Sequence, residues 1–174
     1  MNYNTRVNEY DTLLLNRLEL KTLKDLDLKI TEDNPYRFVN VSENELTSLE
    51  GLPEGIIGVY CYDNYLTSLE GLPKGVKYIN CHTNYLTSLE GLPEGVLKVY
   101  CNNNKLTSLK GLPDSVDSLN CSDNPYLTSL EGLPERTIIY CENTPVYIQA
   151  LLQGRMDEMD ELDKGLVEII KYIQ

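Results

Sequence analysis

From Tyr36 to Pro145 the chain repeats one arrangement of apolar and polar positions every twenty residues. Each unit opens on two apolar residues separated by one: Val39 and Val41, Val59 and Cys61, Ile79 and Cys81, Val99 and Cys101, Leu119 and Cys121. That alternation predicts a short strand with one side buried. An Asn follows at 44, 64, 84, 104 and 124. Then comes Leu-Thr-Ser-Leu-(Glu/Lys)-Gly-Leu-Pro, beginning at Leu46, Leu66, Leu86, Leu106 and Leu127. A fixed period of this size predicts a solenoid in which each unit buries its apolar side only against its neighbours. The return path, roughly nine residues broken by Gly and Pro, is too short for an α-helix and predicts turns and extended backbone on the outer side. The stacked Asn side chains are expected to pair with backbone groups of neighbouring turns. Gly55, Gly75 and Gly95 are expected to take positive φ before the next strand, with Ser115 and Arg136 in that place later.

These residues carry a resemblance. Ile56, Val59, Cys61, Asn64 and Leu66 fit L-x-x-L-x-L-x-x-N/C-x-L, as do Val76, Ile79, Cys81, Asn84 and Leu86, then Val96, Val99, Cys101, Asn104 and Leu106. Val116, Leu119, Cys121 and Asn124 fit it again. The chain thus resembles the leucine-rich repeat family, in the short bacterial class found in secreted effectors and in proteins of large viruses and phages. The resemblance implies parallel strands on a concave face, an irregular convex side and helical terminal caps. It also implies a viral, phage or bacterial factor that engages, and in the sharper form inhibits, a host protein. The ubiquitin-ligase domain that some such effectors add is not expected, since few residues follow the array.

The ends depart from the period. Apolar residues at 7, 10, 14 and 18 have helical spacing, and Leu26 to Ile30 alternates like a strand. Residues 1–35 read as an N-terminal cap, 36–145 as the repeats and 146–174 as a C-terminal helical cap, all one domain over 1–174. The unit holding Pro125 and Tyr126 is one residue longer than its predecessors; the next is shorter, with its Asn early at Asn143. Thr144-Pro145 is a helix start for Val146 to Gln153. Met156, Met159, Leu162, Leu166, Ile169 and Ile173 then make an amphipathic helix. It reads first as a cap; the alternative is a structural or assembly subunit joined through 155–174, including as a homodimer.

Composition narrows the function. A net charge of −12 argues against nucleic acid, which needs clustered Lys and Arg. No apolar run is long enough to span a bilayer, and residues 1–20 lack the layout of a signal peptide, so the expected compartment is the cytoplasm, the host's if the chain is viral or an effector. The five Cys fall on inward strand positions, and one column of parallel thiols does not converge on a metal; they read as free, buried apolar residues, with no metal or other cofactor expected. The single His neighbours Cys81 but alternates away from it, and no nucleophile–base pair or phosphate loop is present, so no enzyme is expected.

The outward strand positions remain. The thirteen Tyr supply nearly all the aromatic surface, with one Phe and no Trp. Many of them converge on the inner curve, and Tyr combines a large apolar area with a polar tip suited to protein contacts. An aromatic column also stabilises a sheet by itself, which is the competing reading. The expected partner-binding set is Phe38, Tyr60, Tyr62, Tyr78, Asn80, His82, Lys98, Tyr100, Asn102 and Tyr140, facing another protein. Glu50, Glu70, Glu90 and Glu131, interrupted by Lys110, are expected to form a solvated ridge outside.

Overall fold

A computed structural model describes residues 7–8, 10–32 and 35–154. Seven three-residue strands stack in chain order as one parallel sheet: β1 (Thr12–Leu14), β2 (Phe38–Asn40), β3 (Gly58–Tyr60), β4 (Tyr78–Asn80), β5 (Lys98–Tyr100), β6 (Ser118–Asn120) and β7 (Ile138–Tyr140). Each strand is short because only its middle residue and the residue two further on face inward. Leu13, Val39, Val59, Ile79, Val99, Leu119 and Ile139 are wholly buried, as are Leu15, Val41 and the five Cys. The return path closes the other side of the core with Leu46 and Leu49, Leu66 and Leu69, Leu86 and Leu89, Leu106 and Leu109. Among the described residues the return path carries turns and bends, as its Gly and Pro predict.

The strand turns its corner on a left-handed residue that is not glycine. Glu43, Asp63, Thr83, Asn103, Asp123 and Asn143 all have φ of 54–56°. The next residue is the stacked Asn. Asn84 shows the arrangement: its amide donates to the carbonyls of Cys61 at 3.0 Å, Cys81 at 3.1 Å and His82 at 3.2 Å, and its Oδ1 accepts from Leu66 N–H at 2.9 Å. Asn64, Asn104 and Asn124 bond in the same way.

The positive φ before the next strand is found at Gly55 and Gly95 but not at Gly75. The stricter glycine column is the one inside Leu-Thr-Ser-Leu-x-Gly, where Gly51, Gly71, Gly91, Gly111 and Gly132 all have φ between 88° and 103°. At the former glycine place, Ser115 is accommodated by a hydroxyl bond to the Val96 carbonyl at 2.7 Å.

The N-terminal segment differs from its expectation. No helix runs over 7–18 among the described residues; Thr12–Leu14 is a strand of the same sheet, with Thr12 opposite Phe38 and Leu14 opposite Asn40. Leu26 to Ile30 is not a strand either: Lys24–Leu26 forms a 3-10 turn and the rest is irregular. The physical reason is that Leu13, Leu15, Leu20 and Leu23 fill the places of Val39, Val41, Leu46 and Leu49, so sheet pairing and core burial outweigh a local helical spacing. Leu18 and Leu20 N–H both donate to Asn44 Oδ1, at 2.9 and 3.0 Å, as Leu66 does to Asn84. The outer edge of β1 is met by an antiparallel bridge from Val7 to Leu13.

At the other end the extra residue is absorbed as a turn. Pro125 and Tyr126 stand out into solvent while Leu127 returns to full burial, and β7 still pairs with β6 in the common register. The ladder position after Cys141 is held by Thr144 rather than by Asn143, which is the left-handed residue. Thr144 Oγ1 donates to the Cys141 carbonyl as each Asn does within its own turn. It therefore does not cap the helix: α1 (Tyr147–Leu152) has Val146 at its start and no side-chain cap. Val146, Ala150 and Leu151 are buried. The amphipathic helix expected over 155–174, and the assembly or homodimer contact assigned to it, lie outside the described residues. No helix among the described residues is long and apolar enough to cross a membrane.

All five Cys are free and buried in one column. Burial pushes every thiol up, Cys81 to about 12, and Cys61, Cys101 and Cys121 are raised further by neighbouring thiols. The thiolate is the reactive form. The folded protein should therefore be silent to a thiol-specific reagent near neutral pH, and all five should react together on unfolding. Fast labelling of the native protein would contradict the packing.

Candidate functional site

The hollow of the coil is lined by the strand residues that flank the buried middle one. In β2–β7 these are Phe38 and Asn40, Gly58 and Tyr60, Tyr78 and Asn80, Lys98 and Tyr100, Ser118 and Asn120, Ile138 and Tyr140. Parallel register without slippage sets each of these in a column, about 4.8 Å from its neighbour. Glycine at 58 leaves a gap that the Phe38 ring occupies, within 2.3 Å of where a Cβ would stand.

The aromatic residues expected in the hollow do meet. Phe38 and Tyr60 ring centres are 6.4 Å apart, Tyr60 and Tyr78 5.3 Å, Tyr78 and Tyr100 5.5 Å, each pair tilted. They form one unbroken run across four turns, half-buried throughout. Tyr78, at its centre, has its phenol pushed up to about 12 by burial, with the Tyr60 and Tyr100 hydroxyls adding and a bond from Asn80 opposing. The Tyr78 phenol thus stays protonated and able to donate.

Beside this run, Tyr62 and His82 stack face to face, 4.6 Å between centres and 6° between planes. His82 Nδ1 lies 2.8 Å from the Thr83 hydroxyl. Burial lowers its pKa, against a smaller opposite pull from Asp63, so the ring stacks as a neutral imidazole near neutral pH. Lys98 is exposed between the Tyr78 and Asn80 strand and Ser118. Asn102 follows His82 in the next turn and is half-buried. Tyr140 stands two turns beyond Tyr100, with Asn120 between them.

The remaining Asn of the hollow are turned by their own backbone. Asn40 Oδ1 accepts from Ser42 N–H at 3.0 Å, Asn80 Oδ1 from His82 N–H at 3.4 Å and Asn120 Oδ1 from Ser122 N–H at 3.1 Å. Ser42 and Ser122 are buried and bond to Asn40 Oδ1 and Glu142, so the column of Ser42, Tyr62, His82, Asn102, Ser122 and Glu142 offers the hollow less surface than its spacing alone suggests.

The first turn adds residues that the period does not reach. A depression at this end of the hollow is lined by Asn8, Tyr10, Thr12 and Leu14 together with Asn40, Tyr60, Tyr62 and Asn80. Tyr10 is 72 % exposed. A Leu-x-Leu-x-x-Leu-x-Leu spacing from Leu13 to Leu20 was the signal for this turn. Outside the hollow, Tyr65 and Tyr85 stack at 6.1 Å and Lys105 sits 4.6 Å over the Tyr85 ring. On the convex side Glu50 pairs with Lys24 and Glu90 with Lys110, at 2.8 Å for the latter, so the acidic ridge is bracketed by cations. Among the described residues no group of three His, Cys, Asp or Glu is placed to hold a metal.

No protein-family model matches the chain. No curated protein matches it either. Solved structures do. The leucine-rich repeat domain of a Shigella effector superposes with a TM-score of 0.60 at 29 % identity, over 77 % of this chain and 59 % of that one. YopM from Yersinia enterocolitica superposes at 0.55 with 22 % identity, over 68 % of this chain and 31 % of that one, and speaks for the fold alone. The chain spans less than two thirds of either. The fold is a leucine-rich repeat solenoid that resembles the repeat domains of bacterial effectors.

Proposed function

We propose that this chain is a non-catalytic module that captures another protein in its Tyr-lined hollow, as an effector-type factor acting on, and inhibiting, a host protein in the host cytoplasm. The observation that carries the reading is the unbroken run from Phe38 through Tyr60 and Tyr78 to Tyr100, standing on a rigid sheet and open to the trough. Rings held by their neighbours lose little side-chain freedom on binding, and Tyr is enriched among residues that dominate interface energies. Effector-like repeat structure supports an interaction role. Catalysis has no comparable support: His82 is stacked and bonded to Thr83, and Cys81 faces the core.

Tyr60→Ala, Tyr78→Ala and Tyr100→Ala combined should abolish partner capture, a loss of at least about a hundredfold in affinity, since hot-spot residues each contribute about tenfold or more. These side chains lie outside the core, so circular dichroism should show the fold retained. Equal capture by the parent and the triple variant would remove the hollow as the binding face.

A further inference from the structure

The hollow is a one-sided hydrogen-bonding surface. Asn40, Asn80 and Asn120 have their carbonyl oxygens occupied by backbone amides two residues on, so what they offer a ligand is an amide donor, although the Asn80 amide already spends one hydrogen on the Tyr78 phenol. The Tyr phenols each carry an O–H to donate, and burial keeps that of Tyr78 protonated. Lys98, exposed in the middle, donates only. A complementary ligand must be rich in acceptors and poor in donors, with apolar bulk to lie between rings.

Periodicity narrows the ligand further. One column reads Asn40, Tyr60, Asn80, Tyr100, Asn120, Tyr140, so ring and amide alternate and each recurs on every second strand. Two strand spacings are about 9.6 Å. A polyproline II helix repeats every three residues at about 9.3 Å and leaves all its carbonyls unpaired. An extended strand repeats at about 6.8 Å and brings its own donors. An α-helix repeats at about 5.4 Å and has its carbonyls paired internally, leaving the Asn amides nothing to meet. Only the polyproline form fits both the spacing and the donor excess.

Resting on the reading of the hollow as a protein-binding face, we propose that its occupant is a proline-rich segment in the polyproline II conformation, lying along the solenoid axis and flanked by basic residues. Prolines would lie against Tyr60 and Tyr100, two strands apart with Tyr78 between them, and segment carbonyls would accept from Asn80, Asn120 and the phenols. The flanking cations follow from charge complementarity. The chain carries −12, and Asp63, Asp123 and Glu142 stand at the strand ends along one rim, Asp63 close enough to pull on His82. Aromatic-lined grooves are a general solution for this ligand because its low conformational entropy is already spent.

The test is a titration of the full chain, by calorimetry or fluorescence anisotropy, with a synthetic peptide of about ten prolines bracketed by arginines. Control peptides carry alanines in place of the prolines, or glutamates in place of the arginines. The proline–arginine peptide should bind at least about tenfold more tightly than either control, and Tyr100→Ala and Asn80→Ala should each weaken it by about tenfold. It should also compete away any protein whose capture depends on Tyr60, Tyr78 and Tyr100. Equal binding of the proline and alanine peptides would mean charge attraction alone and overturn the proposal. So would Tyr-dependent capture that the peptide does not bind into or displace, an outcome that leaves the hollow as a binding face but assigns it a different occupant. If neither capture nor peptide binding depends on the Tyr residues, both readings fall together.

Discussion

Gly111→Ala should lower the free energy of unfolding by about 4 kcal/mol, whereas Gly75→Ala should lower it by less than about 1 kcal/mol. The two glycines occur in the same repeated phrase and differ in what surrounds them. Gly111 has φ of 88°, a region that costs an alanine on the order of 1–2 kcal/mol through contact of its Cβ with its own backbone. A Cβ there would also stand 2.5 Å from Glu90 N, 2.6 Å from the Leu89 carbonyl carbon and 2.7 Å from Glu90 Cα. All three are main-chain atoms of the preceding turn. They cannot swing aside as a side-chain tip can, so the turns must separate and the buried leucines on either side lose contact. At Gly75 the backbone is ordinary and the nearest atom, the Ile56 carbonyl oxygen, is 3.3 Å away.

Gly154→Ala isolates the first contribution, because φ is 62° and nothing lies within 4 Å. It should cost only the conformational strain of about 1 kcal/mol. Urea unfolding of the three variants measures the order directly. If Gly111→Ala cost no more than Gly154→Ala, the close approach of successive turns would be wrong.

The same comparison shows why part of the fold was legible from sequence and part was not. The repeat reveals itself because each turn meets a copy of itself: a residue type that works at one position works at the next, and Cys61 predicts Cys81. Strand positions, the inward Cys and the Asn ladder follow from that alone. The role of Gly111 does not, because repetition says that a residue is needed and not which neighbour needs it. Gly55, Gly75 and Gly95 repeat one place, yet only Gly55 and Gly95 have positive φ.

The first turn was obscured for a different reason. Between Leu23 and Tyr36 the chain runs longer than its later counterparts before it rejoins the sheet, so the period fails while the burial pattern persists. Leu18 stands where the next five turns have Asn44, Asn64, Asn84, Asn104 and Asn124, which removes the clearest marker. A helical spacing at 7, 10, 14 and 18 then competes on equal local terms. Only the docking of Leu13 and Leu15 beside Val39 and Val41 decides it, and that is tertiary. In the hollow, the sequence shows which residues face out but not which rings touch. The Phe38–Tyr60–Tyr78–Tyr100 run crosses between columns diagonally, and it exists because Gly58 makes room for Phe38.

Asn84→Leu should lower the free energy of unfolding by about 3 kcal/mol, and most of that loss should come from one amide. The four bonds of Asn84 are not equal. The Cys61 carbonyl keeps a second donor in Asn64, the Cys81 carbonyl keeps Asn104, and the His82 carbonyl keeps Asp63 N–H at 3.1 Å. The ladder is redundant for acceptors because each carbonyl is shared by successive Asn. It is not redundant for donors: Leu66 N–H is bonded to Asn84 Oδ1 at 2.9 Å within a fully buried residue. Leucine supplies no acceptor, and a buried unpaired amide costs on the order of 1–3 kcal/mol before any misfit of the branched side chain is added.

Asn84→Asp separates the two halves of the amide. It keeps an oxygen for Leu66 N–H but turns the donor into a second oxygen facing three carbonyls. Burial against those carbonyls favours the protonated acid and raises its folded-state pKa above the value near 3.9 of the unfolded chain. A raised folded pKa contributes stability below the unfolded pKa and loses it as pH rises. The deficit of Asn84→Asp relative to the parent should therefore be large at neutral pH, shrink as pH falls through the raised folded-state pKa and level off near pH 4, while that of Asn84→Leu stays constant with pH. Measuring both deficits by urea unfolding across that range decides the matter. A pH-independent deficit for Asn84→Asp would place the side chain in water and the ladder outside the core.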